Sequence, residues 1–276
     1  MTPSVALTWS WDPIMWLLIL GLGGAYYAVI GPLRVRHAWG EPATPRQITY
    51  FVSGVVLLGV ALVSPLDALG RNALFSAHML QLMLLNTLIA PLLLLGLPDW
   101  VAQSVLRRWI LLDEGGTLVL WAVAALVFNG VFLLWHVGPL YEAGLRDTAV
   151  HDLESVTILL TGALRWWPLL TPGQPRIRLA HPGQMLYILL ESLPIDIFAI
   201  ALIFVSHPLY ATYAAAPRLW ATFPPLLDQQ VAGCIALIPG TFLDIILISA
   251  IFFAWFRRME REQEADDERL AAIGKR

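Results

Sequence analysis

The stretch SAHMLQLMLLNTLIAPLLLL, Ser76–Leu95, decides the fold. Its twenty positions carry no charge, and about 20 apolar residues are what an α-helix needs to cross the hydrocarbon of a bilayer. Lipid offers the backbone no hydrogen-bonding partner, so a run of this length closes its bonds within itself, as a helix. Yet the stretch contains His78, and an imidazole buried without a partner is costly. The rest of the chain has to supply that partner.

Composition agrees with a membrane protein. The chain has 276 residues, 58% of them hydrophobic and 13% charged, with mean hydropathy +0.69. Soluble domains carry about 25% charged residues. The net charge of −3 mostly reflects the tail REQEADDERL and points to no nucleic-acid partner. A single cysteine, Cys234, leaves no intramolecular disulfide and no multi-cysteine metal motif. The opening MTPSVALTWSWDP lacks a basic n-region, so the first apolar run is expected to stay in the membrane rather than be cleaved.

Seven stretches are long enough to span, at 13–33, 47–65, 72–97, 115–136, 149–170, 183–206 and 229–256, bounded by Pro, Gly or charge. The expected fold is therefore an all-α bundle of seven transmembrane helices over residues 1–256, with a charged tail, 257–276. Lys and Arg set orientation. With the N-terminus outside, Arg34, Arg36, Arg46, Arg107, Arg108, Arg165, Arg176, Arg178 and the six basic residues from Arg257 onward fall inside, fourteen in all. Arg71, Arg146 and Arg218 fall outside, which accounts for all 17. This split predicts N-out, C-in in a bacterial inner membrane. The segment PDWVAQSVLRRWILLD, 98–113, reads as a short amphipathic helix on the inner surface, anchored by Trp100 and Trp109.

Topology sorts the histidines by depth. His78, His136, His151 and His207 all fall near the outer interface, whereas His37 and His181 lie on the inner side beside arginines. Imidazoles converging from different helices are what a metal or haem site in a bundle requires. Met79 and Met83 add soft thioethers beside His78, a combination suited to copper. The same residues have a structural reading: interfacial histidines cap helix ends, and methionine in an apolar helix packs. Asp152, Glu154 and Asp228 are placed to orient an imidazole through its second nitrogen. Glu191, Asp196 and Asp244 lie deeper, where carboxyls face the bundle interior. They suit an ion or proton path, or a polar contact between helices, with Ser192 or Thr241 as hydrogen-bonding partners. No Walker loop, Gly-rich dinucleotide turn, HExxH or GxSxG is present, so a catalytic role finds no support.

At these residues the chain resembles the CtaG-like cytochrome c oxidase assembly factor family. FSAHMLQLMLL with APLLLLGLP, WHVGPLYEAGLRDTAVHDLES and LDQQVAGCIALIPG carry the resemblance in the family's order, and it extends over about residues 34–256. The family pattern reads His-Met-x-Gln-His in the third helix and His-x-x-Glu-His in the fifth; here Leu82 and Ser155 stand at the second histidine of each. It also has Met-Trp before the Ile-Pro-Gly of the last helix, where this chain has Ala236-Leu237. The metal-related roles implied by the resemblance thus reduce to His78, His136 and His151, with Glu154 and Asp228 behind them. The resemblance implies a non-enzymatic assembly factor for a haem–copper oxidase that assists copper delivery on the outer side. Its partners would be lipid and an oxidase subunit or another assembly factor. The alternatives are a scaffold subunit of a respiratory complex with a degenerate metal site, an ion or metal transporter using Glu191, Asp196 and Asp244, and a bis-His haem oxidoreductase.

Overall fold

Proline and small polar residues cut the apolar runs into helices. In the computed structural model, which describes residues 8–106, 114–170, 179–217, 219–220 and 222–273, every regular element is helical. Helix α1, Pro13–His37, starts at Asp12, whose side chain accepts from Ile14 N and Met15 N. Helix α2, Pro45–Val63, begins with a reciprocal Thr44/Gln47 capping box. Ser64 ends α2 and caps the short α3, Pro65–Asn72. Helix α4, Phe75–Leu95, holds the deciding stretch. Then follow α5, Asp99–Leu106; α6, Glu114–Trp135; α7, Gly138–Arg146; α8, Thr148–Leu170; and α9, His181–Phe204. The chain closes with α10, Ala211–Ala215, and α11, Pro225–Ile273.

By length and composition, six of these are able to cross a membrane: α1, α2, α4, α6, α9 and α11. Helix α8 matches them in length at 23 residues but is less apolar. Its polar residues are turned inward: His151, Asp152, Glu154, Ser155, Thr161 and Arg165 are all buried. It packs against α6 and α4. Helix α11 lies along α9 and also against α4, and α2 bridges α1 and α4. The shared apolar core contains Leu58, Leu62, Met79, Leu85, Phe128 and Phe132, all at most 2% exposed. The outward faces of the long helices are apolar instead, as at Leu17, Leu126, Leu160 and Ile197.

Prolines shape the helices further. Helix α4 widens to a π-turn at Leu84–Ile89, just before Pro91, and Val29–Leu33 in α1 does the same around Pro32. A proline has no N–H and crowds the preceding turn, so the ladder must adjust there. Of the segment 98–113, expected to be an amphipathic helix, α5 is seen; residues 107–113, with Trp109, lie outside the described residues. Trp100 Nε1 donates to Glu41 O at 3.1 Å, so this anchor is tied to the loop after α1. The charged segment continues the last helix: α11 runs for 49 residues, about 73 Å at 1.5 Å per residue, and its residues 257–270 are exposed.

Candidate functional site

The short helices between the spans gather at one end of the bundle and roof over a cluster of buried polar side chains. Helix α3 presses on the start of α4 at Gly70. A Cβ there would lie 3.0 Å from His78 Cα, so any larger residue would press on the α4 backbone. Tyr213, on α10, donates its hydroxyl to the Gly70 carbonyl. Tyr141, on α7, donates to the Tyr213 oxygen at 3.2 Å, and its ring stacks on Tyr210 at 3.9 Å between centroids. Burial pushes the phenols of Tyr210 and Tyr213 up, so both remain protonated donors. Glu142 ties the roof together by accepting from Thr212 N at 3.1 Å and from the Thr212 hydroxyl, and it pairs with Arg146 at 3.2 Å.

Beneath this roof stand His78, His136 and His151, at 1%, 7% and 3% exposure. The His78 and His151 rings lie 6.1 Å apart. The Tyr141 ring separates His78 from His136, at 5.3 and 5.7 Å. His136 Nδ1 is 2.7 Å from the Phe132 carbonyl. A carbonyl only accepts, so Nδ1 carries the proton and Nε2 keeps a bare lone pair. His78 Nε2 sits 3.3 Å from Glu154 Oε1. Donation to that carboxylate leaves His78 Nδ1 as the lone pair. Neither His136 Nε2 nor His78 Nδ1 has a hydrogen-bonding partner, though both are buried. An imidazole held through one nitrogen with the other bare is the arrangement of metal-ligating histidines. His151 lies between two carboxylates, with Asp67 3.5 Å from Nε2 and Asp152 4.0 Å from Nδ1. The chemistry of the donors suits a soft cation. Their placement is not a closed cage: among the described residues, no group of three His, Cys, Asp or Glu side chains is disposed to hold a metal ion.

The remaining sequence candidates take other places. Met79 is a fully buried core residue, and Met83 Sδ faces Asn86 Nδ2 at 3.9 Å, toward the other half of the bundle. Asp228 accepts from Phe75 N at 2.8 Å and Ser76 N at 3.0 Å rather than from an imidazole. His207 is exposed on the loop after α9. Leu82 and Ser155 are both buried, and the Ser155 hydroxyl has no partner. Sequence reasoning passed over Asp67, Gln81, Tyr141, Tyr210 and Tyr213. Gln81 Nε2 donates to Asp67 at 3.1 Å and fixes it beside His151. The available signal was Asp67 in SPLDAL, directly before the His78 helix, and the clustered tyrosines after α9.

A second polar layer lies deeper, about 16 Å further along α8 from Glu154 at 1.5 Å per residue over eleven residues. It requires a correction: Arg165, counted from sequence among the inner-surface charges, turns into the bundle. Its Nη2 pairs with Glu191 Oε1 at 2.6 Å, and both side chains are under 10% exposed. Without Arg165 the interfacial split of basic residues is thirteen to three. The cause is local: a buried carboxylate is costly unless it is paired, and Arg165 on α8 supplies the cation for Glu191 on α9. Asn129 Nδ2 donates to the Glu191 carbonyl and Tyr187 to the Arg165 carbonyl. Asp244 lines a small cavity together with Ser192, whose hydroxyl donates to the Leu189 carbonyl at 3.2 Å. Asp196 is half-buried beside them.

Comparison with known proteins is consistent with this architecture. Proteins described as uncharacterized from Mycobacterium bovis and Mycobacterium tuberculosis are each 27% identical over 281 residues, covering 95% of this chain and 42% of theirs. One from Mycobacterium leprae is 27% identical over 278 residues, covering 94% of this chain and 41% of its own. The chain thus spans less than half the length of these curated relatives. No solved structure matches. The sequence profile of the cytochrome c oxidase caa3 assembly factor family matches residues 24–258, most of the chain, and the protein belongs to that family.

Proposed function

We propose that this protein is a non-catalytic membrane assembly factor for a haem–copper cytochrome c oxidase, and that the roofed histidine chamber is where it works. Family membership supports the assembly role and an association with the oxidase. In this reading α8 crosses the membrane as a seventh span, and the basic-residue bias puts the roof and its histidines on the outer side of the bacterial inner membrane.

Copper would be cargo. The observation that carries this reading is the pair of buried, unpartnered lone pairs at His78 Nδ1 and His136 Nε2, each fixed by an acceptor at the opposite nitrogen. His151, 6.1 Å from His78 between rings, is the third donor. An open arrangement of three imidazoles suits an ion that must be handed on, since a closed cage would hold it. Shared charges with Glu154, Asp67 and Asp152 would raise the basicity of the rings.

A second reading, a scaffold without metal, is favoured by the absence of a three-residue metal group among the described residues and by Leu82 and Ser155. Affinity capture of the tagged full chain from native membranes, with copper quantification, separates the two. The cargo reading expects an oxidase subunit together with histidine-dependent copper. An oxidase subunit with no copper above a His78→Ala/His136→Ala/His151→Ala control supports the scaffold, and capture without any oxidase subunit contradicts both.

A further inference from the structure

The deeper polar layer adjoins a groove that the assembly reading does not use. The groove has a volume of about 470 Å³ and lies between α4, α8 and α11, walled by Leu84, Leu88, Pro91, Trp166, Leu243 and Leu247 among others. Its walls are almost wholly apolar. Beside it is a cavity of about 20 Å³, lined by Asn86, Arg165, Ser192, Asp196 and Asp244. Met83, Thr87, Gly240 and Leu243 line both spaces, so the two adjoin. The fold makes the opening with the π-turn Leu84–Ile89 before Pro91 on α4 and with Pro239-Gly240 on α11.

Three observations define an occupant. The small cavity holds about one water-sized atom, which excludes a phosphate or other bulky headgroup. Arg165 is 7% exposed and lines that cavity, and its Nε–H has no acceptor. A buried donor without an acceptor calls for an oxygen. The third is charge: Glu191 already pairs with the Arg165 guanidinium, and Asp196 and Asp244 line the same cavity, so a carboxylate head would meet like charge. The occupant is therefore neutral. Trp166 is an aromatic wall of the apolar groove, with the Arg165 guanidinium 5.0 Å from its ring.

We propose that this groove binds a neutral lipid-soluble molecule with a carbonyl oxygen at one end of an apolar body. The carbonyl enters the small cavity and accepts the Arg165 Nε–H; the body lies along Leu84, Leu88, Leu243 and Leu247 and leaves toward lipid. Two sources offer this chemistry, a lipid quinone and an acylglycerol ester. This site is separate from the histidine chamber and stands without the copper reading.

The test uses the full chain in nanodiscs and three probes: decylubiquinone, dioleoylglycerol and decylbenzene, the last with a similar chain and no carbonyl. At least one carbonyl probe is expected to bind saturably, one per chain, with decylbenzene weaker by about tenfold or more. Whichever carbonyl probe displaces the other assigns the source. Gly240→Leu fills the junction of the two spaces. An added Cβ there meets nothing within 4 Å, so the variant should keep its melting midpoint while losing binding by about tenfold or more. Leu88→Trp blocks from the opposite wall and covers the case in which Gly240→Leu fails to fold. No saturable binding, equal binding of decylbenzene, or binding untouched by a folded blocking variant overturns the proposal.

Discussion

Asp228 and Phe75 are joined across 153 residues: an oxygen of the Asp228 carboxylate accepts the Phe75 backbone N–H at 2.8 Å, while its other oxygen takes that of Ser76 at 3.0 Å. The start of α4 has no side-chain cap of its own, because Leu74 occupies the cap position. Asp228, 0% exposed near the beginning of α11, supplies it from another helix. A carboxylate at a helix N-terminus meets free N–H groups and the positive end of the helix dipole. It sets the depth of α4, and with it the height of His78, three residues along.

Asp228→Ala leaves two buried N–H groups unsatisfied. Hydrogen bonds to a charged group contribute about 1.5–3 kcal/mol each, so a loss of about 3 kcal/mol is expected. Asp228→Asn keeps one acceptor and should lose less. Thermal unfolding of the purified protein measures both. An Ala variant as stable as the parent would mean that α4 is held by packing alone.

The Arg165–Glu191 pair gives a second ordering. Removing one partner of a buried pair costs about 3–5 kcal/mol, whereas replacing both by apolar residues is often neutral. Glu191→Leu should therefore be less stable than the double variant Arg165→Met/Glu191→Leu. A double variant below both singles would show that the pair itself stabilises the bundle.

The roof should respond to acid. Partial burial of Glu142 opposes its charge, but the hydrogen bonds from Thr212 and the Arg146 guanidinium outweigh that and hold its carboxyl below the ordinary 4.5. A carboxyl depressed by folding contributes stability above its unfolded pKa and loses it as pH falls through the folded one. The link between α7 and α10 should hold from pH 7 to about 4.5 and weaken below. Hydrogen exchange of Thr212 N–H would follow it. In Glu142→Gln that acid-dependent step should vanish; its persistence would assign the step elsewhere.

Much of this was legible in the sequence because it is local. Proline and Ser or Thr mark the starts of α2 and α3, and unbroken apolar runs mark the spans. The common level of His78, His136 and His151 followed from counting along helices. Arg165 was misplaced for the opposite reason. A charge near a helix end reads as interfacial, and only the neighbouring α9 reveals that Glu191 draws it inward. Asp67 and the tyrosines of the roof come from loop segments, whose tertiary contacts have no period. The cross-helix cap by Asp228 was similarly invisible, since aspartate opening a helix reads as serving its own first turn.

The substituted positions are a further test. Leu82 and Ser155 lie one turn beyond His78 and His151, on the same helix faces because i and i+4 are neighbours. Both are buried at 1% exposure or less. Leu82→His/Ser155→His adds two ligands to helices already in place, so Cu(I) affinity should rise by about tenfold or more, about 1.4 kcal/mol. The apo form should lose stability, because two imidazoles replace a packed leucine and a small hydroxyl. Chelator competition and thermal unfolding read the two effects, and an unchanged affinity would place these positions outside any metal chamber.

The most direct test of the central claim is a Cu(I) titration of the purified chain against a calibrated chelator, beside His78→Ala/His136→Ala/His151→Ala. The predicted result is one Cu(I) per chain, with affinity lower by about tenfold or more in the variant. Equal competition by the two proteins would contradict a copper-carrying chamber and leave the protein as a scaffold.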